Sequence, residues 1–138
     1  MKRLFLAAVL GLAVMPAMAE EKTLPPTAGA LTKNECGACH LAFPAGKQPA
    51  PTWTAIMKGL DDHFGEDASL DDDSRGWIEA YLTGYAGKGS GAELRLTKAS
   101  WFVNEHGGRE FKRKMSGRSV KTVVNCVACH RDAERGKF

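Results

Sequence analysis

The chain has 138 residues, of which 43% are hydrophobic, and it contains four cysteines and four histidines. Its formal net charge is only +3, so composition gives no reason to expect a nucleic-acid partner. Gly and Pro are frequent over residues 25–51 and again over 84–91. A chain this short and rich in loops can build only a small core from its own side chains.

Residues 1–19 predict a secretory signal peptide. Two basic residues precede a mostly apolar run over residues 4–15, and the tripeptide Ala-Met-Ala that ends at Ala19 matches the small-residue cleavage pattern. A retained membrane anchor is the alternative, but the apolar run is short for a bilayer and Pro16 interrupts it. We therefore expect a mature chain of residues 20–138 that lies in the periplasm and does not span the membrane.

Residues 20–86 predict a small N-terminal domain of three helices. The first helix carries the sequence NECGACH, and a loop rich in Pro and Gly follows over residues 44–51. The second helix is predicted near residues 52–60. The third begins at a capping pattern on Ser69 and ends at Gly84, with apolar residues at helical spacing between them.

Residues 87–138 predict a C-terminal domain in which the order of features is inverted. The segment GYAGKGSGA, residues 84–92, contains four glycines and predicts a flexible linker into this domain. A short helix is expected near residues 97–106, and the sequence NCVACH comes close to the chain end. The two halves together predict a mainly α-helical protein.

The sequences NECGACH and NCVACH use every cysteine of the chain in the same Cys-x-x-Cys-His pattern. Disulfides inside these motifs would close tiny loops and would constrain the unfolded chain little. The paired knuckles of structural zinc usually lie about 15–20 residues apart, far closer than these two motifs. A thioredoxin-like redox pair does not require the histidine. The motifs are formed by Cys36, Cys39, His40, Cys126, Cys129 and His130.

The remaining interpretation is covalent haem c, for which this pattern is the attachment signature. The two thiols bond to the two vinyl-derived carbons of the porphyrin, and the adjacent imidazole binds the iron as the proximal ligand. We therefore predict two haem c groups, with His40 and His130 as proximal ligands. Two porphyrins would also provide the apolar surfaces that the chain itself lacks.

The second axial position of each iron distinguishes an electron carrier from a gas binder or a catalyst. Outside the motifs, the mature chain has two histidines, His63 and His106, and two methionines, Met57 and Met115. Because two histidines match two open positions, bis-histidine ligation is expected at both irons. Met57 lies on an apolar stripe typical of a core helix. Met115 has less apolar support and remains the alternative ligand.

Four segments together resemble the small diheme cytochrome c family, often called DHC: ECGACHLAFPAG, DDHFGEDASLD, WFVNEH and CVACHRDAERGKF. The resemblance implies two small haem-packed helical domains, of which the first is similar to a class I cytochrome c. It implies low-spin haems with His63 and His106 as distal ligands, although class I domains usually offer methionine there. Nearness in sequence favours His63 for the first haem and His106 for the second.

The resemblance also implies the function and the partners. Members of the family donate electrons to a small oxygen-binding monohaem cytochrome c, often alongside a membrane b-type cytochrome. Irons with histidine on both faces have no open position for substrate, which favours electron transfer over catalysis. Histidine in place of methionine lowers the reduction potential. The alternatives are a haem enzyme with a displaceable distal ligand, such as a peroxidase or an oxygen or nitric oxide reductase, and a haem-based sensor or assembly factor.

The two halves differ strongly in charge. Residues 20–86 carry 5 basic and 11 acidic side chains, a net charge of −6, whereas residues 87–138 carry 12 basic and 5 acidic side chains, a net charge of +7. Both sets could be merely solvated surface. If they act, the molecule is a dipole that orients its redox partners, and the C-terminal haem has the higher potential.

Overall fold

The computed structural model describes residues 27–91, 93–117 and 120–138, so the predicted signal peptide lies outside the described residues. Within these ranges the chain is mainly α-helical and contains isolated β-bridges but no strand, which confirms the predicted fold class. None of the helices in the described ranges is long and apolar enough to span a membrane. The helices are α1 (Ala28–Cys36), α2 (Ala50–Lys58), α3 (Asp72–Gly84), α4 (Ser100–His106) and α5 (Arg109–Ser116).

The first core forms where α3 packs against α1 and α2. Ile78 of α3 is fully buried at its centre, and Met57 of α2 is only 2% exposed, which confirms its interpretation as a core residue. Trp53 of α2 is also buried in this core, and its indole Nε1 donates a hydrogen bond of 2.7 Å to the carbonyl oxygen of Ala45. This bond ties α2 to the loop that follows the first motif.

The boundaries of α2 and α3 differ from the prediction at their N-termini. Helix α2 begins at Ala50 because Pro51 is tolerated in the first turn, where its missing N–H costs no helical bond. Helix α3 is capped by Asp71, whose carboxylate accepts a 2.9 Å hydrogen bond from the backbone N–H of Ser74. The predicted cap at Ser69 is therefore wrong. The C-terminal end at Gly84 is as predicted.

The predicted flexible linker is wrong for the part that the structure describes. The backbone N–H of Gly87 donates a 2.9 Å hydrogen bond to the carbonyl oxygen of Gln48. A Cβ on Gly87 would lie 2.3 Å from the carbonyl oxygen of Gly46. Gly91 has φ +76° and lies against Pro51. These glycines allow one backbone segment to pack closely on another, which is a different use of glycine from flexibility.

The second, smaller core is formed by Leu96, Ala99 and Phe102 around the start of α4. Helix α4 begins at Ser100, after a short 3₁₀ turn that occupies the first part of the predicted helix. Helix α5 follows after two glycines and was not predicted, because its residues are mostly charged and only Phe111 and Met115 are apolar. Beyond it the chain has only 3₁₀ turns among the described residues.

Candidate functional site

The first motif lies where α1 ends. Helix α1 terminates at Cys36, and the following turn contains Cys39 and His40. The Cys36 thiol is half-buried at the edge of the first core, and burial, with a smaller contribution from Glu35, raises its pKa. Cys39 is exposed. None of the chain's cysteines forms a disulfide within the described residues, so neither thiol of this motif is used in a protein cross-link.

The imidazole of His40 faces the imidazole of His63, with ring centroids 6.2 Å apart and ring planes 23° apart. His40 Nδ1 lies 2.8 Å from the carbonyl oxygen of Leu41. A carbonyl oxygen can only accept, so Nδ1 carries the proton and Nε2 keeps its lone pair free to bind a metal.

His63 is held by its backbone, in the turn that follows α2. Its N–H donates a 2.7 Å hydrogen bond to the carbonyl oxygen of Glu66, and the return bond is 3.4 Å long. Phe64, with φ +60°, makes the tight turn between them. The pKa of His63 is lowered by burial first, then by His40 and Arg95. All three effects favour the neutral imidazole, which is the form that binds metals.

The second pair is formed by His106 and His130, with ring centroids 6.1 Å apart and ring planes 75° apart. His106 is the last residue of α4, and its Nδ1 lies 3.0 Å from the carbonyl oxygen of Phe102, which again leaves Nε2 free. The rings of Phe102 and His106 are stacked at 4.0 Å. Phe111 of α5 meets His106 edge-on at 5.1 Å. Three aromatic and imidazole rings therefore fix one wall of this site.

The second pair lines a cavity of about 420 Å³. This volume falls within the range of about 300–1,000 Å³ that is typical of cofactor sites. Burial raises the pKa of the Cys126 thiol, whereas Cys129 is exposed. The wall is mainly apolar or aromatic and also carries the thiols of the second motif. It includes Phe43, Leu96, Trp101, Phe102, Phe111, Met115, Val120, Val123, Cys126, Cys129 and Phe138.

The spacing of both pairs fits a metal bound between them. A metal–imidazole bond is about 2.0–2.1 Å long, so two imidazoles on opposite sides of one ion have ring centroids roughly 6 Å apart. In the described residues, no three or more His, Cys, Asp or Glu side chains converge into a metal site. A haem iron needs only two protein ligands because the porphyrin supplies the others. The donor set therefore fits haem and not a metal bound by protein alone.

Phe43 lies between the two sites and was missed by the sequence analysis. Its ring stacks on His40 at 5.2 Å, it packs against both cores, and it lines the second cavity. Lys47 also joins the halves, because its Nζ lies 5.3 Å from the ring centroid of Trp101 and 4.7 Å from that of Phe138. In the sequence Phe43 is distinguished only by its position three residues after the first motif, which does not indicate its contacts with the second core.

A small helical chain with two Cys-x-x-Cys-His sites, each facing a further histidine, has the features of a c-type cytochrome. Residues 32–138, most of the chain, match the family model described as dihaem cytochrome c. The chain belongs to the dihaem cytochrome c family. It therefore carries two covalently attached haem c groups and has the electron-transfer role of a c-type cytochrome.

Solved structures of diheme cytochromes c are similar to this chain. A crystal structure of DHC from Rhodobacter sphaeroides is 46% identical, with 79% of this chain and 96% of that chain covered and a TM-score of 0.67. A second structure of a diheme cytochrome c from Rhodobacter sphaeroides is 43% identical, with coverages of 79% and 95% and a TM-score of 0.71. The X-ray structure of sb-DHC from Shewanella baltica OS155 is 35% identical, with coverages of 80% and 87% and a TM-score of 0.70. No curated protein sequence matches the chain.

Proposed function

We propose that this c-type cytochrome is a periplasmic carrier of single electrons at low potential, with histidine on both faces of each iron. The observation that carries the proposal is the presence of two facing imidazole pairs, at 6.2 Å and 6.1 Å. They use all four histidines of the chain. Haem c supplies the one-electron chemistry, and the chain's own residues hold, orient and enclose it.

We assign the first haem to Cys36 and Cys39, with His40 as proximal and His63 as distal ligand. The second haem is assigned to Cys126 and Cys129, with His130 as proximal and His106 as distal ligand. The backbone carbonyls of Leu41 and Phe102 hold the Nδ1 protons of His40 and His106. They fix the tautomer and the ring orientation that ligation through Nε2 requires.

We further propose that residues 20–86 and 87–138 are the two haem domains and that residues 1–19 direct export to the periplasm. Bis-histidine ligation supports a low potential, since methionine in its place would raise it. The resemblance to the family supports a small oxygen-binding monohaem cytochrome c as electron acceptor and a membrane b-type cytochrome as donor. With both axial positions filled, the protein is proposed to act as a carrier and not as an enzyme.

The decisive test is electron paramagnetic resonance of the oxidised protein, together with optical spectra of the reduced protein under carbon monoxide. Two low-spin signals that account for both irons, with no spectral change under carbon monoxide, are expected. A high-spin signal, or a shift of the reduced spectrum on adding carbon monoxide, would support the alternative of a haem enzyme with a displaceable ligand.

The location is tested by expression with and without residues 1–19. The full chain should be recovered from the periplasmic fraction with both haems attached. The shortened chain should remain in the cytoplasm without haem, and circular dichroism and proteolysis should show it to be largely unfolded, because the haems form part of its core. A well-folded, haem-free chain would contradict this proposal.

A further inference from the structure

Helix α5 presents three distinct faces. Phe111 and Met115, four residues apart, lie on one face and turn into the second cavity. Glu110 and Lys114 form an exposed ion pair of 3.2 Å along a second face. The third face carries positive charge only. It consists of Arg109, Lys112 and Arg113, which we call the basic face of α5.

The charge on the basic face is free to act on another molecule. All three side chains belong to exposed residues, and none of them forms an ion pair with another described residue. Lys114, which the linear sequence groups with them, is already paired with Glu110. A cluster of unpaired like charges on one helix face creates a local potential that attracts an oppositely charged surface.

The same helix contacts the second proposed haem site. Phe111 meets the imidazole of His106 edge-on at 5.1 Å, and Met115 lines the cavity that also contains Cys126 and His130. One helix therefore separates the basic face from this site. A protein that docks on α5 would come to lie within about one helix diameter, roughly 10–12 Å, of the site behind it.

We propose that the basic face of α5 is the docking surface for a redox protein with an acidic surface, and that electrons enter or leave through the C-terminal haem at this point. This inference rests on the proposed electron-transfer function and names the partner chemistry and the point of contact. Carboxylates of the partner would pair with the guanidinium groups of Arg109 and Arg113 and the ammonium group of Lys112, which guides the encounter and fixes its orientation.

The structure favours a protein over a membrane as the occupant. A helix that lies in a lipid interface inserts an apolar face beside its basic one. In α5 the apolar residues Phe111 and Met115 face the cavity and are not available to lipid. A second copy of this chain is the other source of acidic surface, since its residues Asp71, Asp72 and Asp73 are exposed. Membrane binding and self-association are therefore outcomes that the test must separate.

The test uses the holoprotein and stopped-flow reduction by the hydroquinone of a flavodoxin with a net negative surface. Each flavodoxin gives up one electron, which reduces one ferric iron. The variant R109Q/K112Q/R113Q removes the basic face, and the control K33Q/K58Q/K88Q removes the same charge from exposed lysines elsewhere. Photochemically generated deazariboflavin radical, which is uncharged, serves as a reductant that does not need a docking surface.

The α5 variant should lose about tenfold in second-order rate constant at low ionic strength, together with most of its salt dependence. The control variant should lose little of either. Equal loss in both variants, or loss in neither, overturns the proposal. If the variants accept electrons from the deazariboflavin radical at wild-type rates, the electron-transfer function stands whatever the flavodoxin result. If neither the flavodoxin nor the deazariboflavin radical reduces the wild type, the proposed electron-transfer function itself has failed.

Two further measurements separate the other occupants. Sedimentation velocity at low salt should show a monomer for the wild type. A dimer that disappears in R109Q/K112Q/R113Q would show that the basic face binds a second copy of this chain instead of an acidic redox protein. Vesicles of phosphatidylglycerol should not retain the protein more than they retain the α5 variant. Retention that depends on the basic face, with an unchanged flavodoxin rate, would overturn the proposal in favour of a membrane surface.

Discussion

The imidazole of His106 lies nearly perpendicular to the imidazole of His130, with ring planes 75° apart at a centroid distance of 6.1 Å. In the other pair the planes of His40 and His63 are only 23° apart at almost the same distance. The two pairs therefore provide the same donor atoms in different orientations. The stacked ring of Phe102 and the Nδ1 hydrogen bond to its carbonyl oxygen hold His106 in its orientation.

The first prediction is that the two irons give different low-spin signals in electron paramagnetic resonance. Nearly parallel imidazole planes donate to the same iron orbital and separate it in energy from its partner, which gives a rhombic signal. Nearly perpendicular planes donate to both orbitals alike, which gives one strongly anisotropic signal. A single signal shared by both irons would contradict the orientations in the structure. His63→Ala should remove only the rhombic signal, which assigns it to the first pair.

The second prediction concerns the distal ligands. His63→Ala and His106→Ala should each leave both haems attached, since the four cysteines are unchanged, and each should convert one iron to high spin. Met115→Leu is the control and should leave both irons low-spin, although Met115 lines the second cavity. The measurement is the optical and magnetic resonance spectrum of the purified variants. A histidine whose loss leaves both irons low-spin is not a ligand, and loss of a low-spin signal in Met115→Leu would assign that ligand to methionine.

The third prediction concerns Phe43, which packs against both cores and stacks on His40. Truncation of a fully buried phenylalanine to alanine costs about 3–5 kcal/mol. Phe43 is only half-buried, so Phe43→Ala should lower the unfolding free energy by less than this amount. It should also perturb the spectra of both haems. Phe43→Leu, which keeps most of the apolar contact, should do much less. Guanidinium unfolding followed by haem absorbance measures both effects, and a perturbation confined to one haem would show that Phe43 does not link the sites.

The fourth prediction concerns the hydrogen bond between Trp53 and Ala45. Trp53→Phe keeps a ring in the core but removes the shorter of the two hydrogen bonds to the carbonyl oxygen of Ala45, which then keeps only the 3.3 Å bond from the backbone N–H of Gln48. We expect a loss of about 0.5–1.5 kcal/mol in unfolding free energy from the hydrogen bond itself. Trp101→Phe is the matched control, because Trp101 is 36% exposed and its indole makes no hydrogen bond with a described residue. Denaturant unfolding of both variants should show a clearly larger effect at residue 53, and equal effects would contradict the role of the bond.

The fifth prediction concerns pH. The pKa of Asp71 is lowered, chiefly by the hydrogen bond from the backbone N–H of Ser74 at the start of α3. Because the folded pKa lies below the unfolded one, Asp71 stabilises the protein at neutral pH, and this stabilisation is lost as pH falls through the folded pKa. Asp71→Ala should therefore lower the melting temperature at pH 7 and make little difference at strongly acidic pH. A difference between the two proteins that stays constant with pH would contradict this origin.

The sequence by itself determined the cofactor, the helical character and the candidate ligands. Two Cys-x-x-Cys-His motifs with no cysteine left over predict haem c, and the chain has only two further histidines. This information is local, because thiol spacing and the adjacent imidazole belong to one short stretch of chain. The end of α3 at Gly84 could also be predicted from the sequence, because the amphipathic stripe of this helix stops there.

The linear sequence was a poor guide wherever a residue's role depends on a distant partner. The glycines near Gly87 were predicted to form a flexible linker, and only the approach of Gly46 shows that they allow close packing. Phe43 is an ordinary apolar residue in the sequence, and its position between two sites follows from contacts with both cores.

Tertiary structure also decided how α5 is used. In the sequence, Phe111 and Met115 are two apolar residues in a basic run and do not by themselves predict a helix face that packs on a core. In the structure both side chains line the second cavity, and this orientation of α5 turns the basic face outward. The angle between the imidazoles of each pair likewise depends on neighbours such as Phe102, which stacks on His106. The spacing of residues along the chain identifies which imidazoles are candidate donors. Their orientation is set by packing and hydrogen bonds that exist only once the chain is folded.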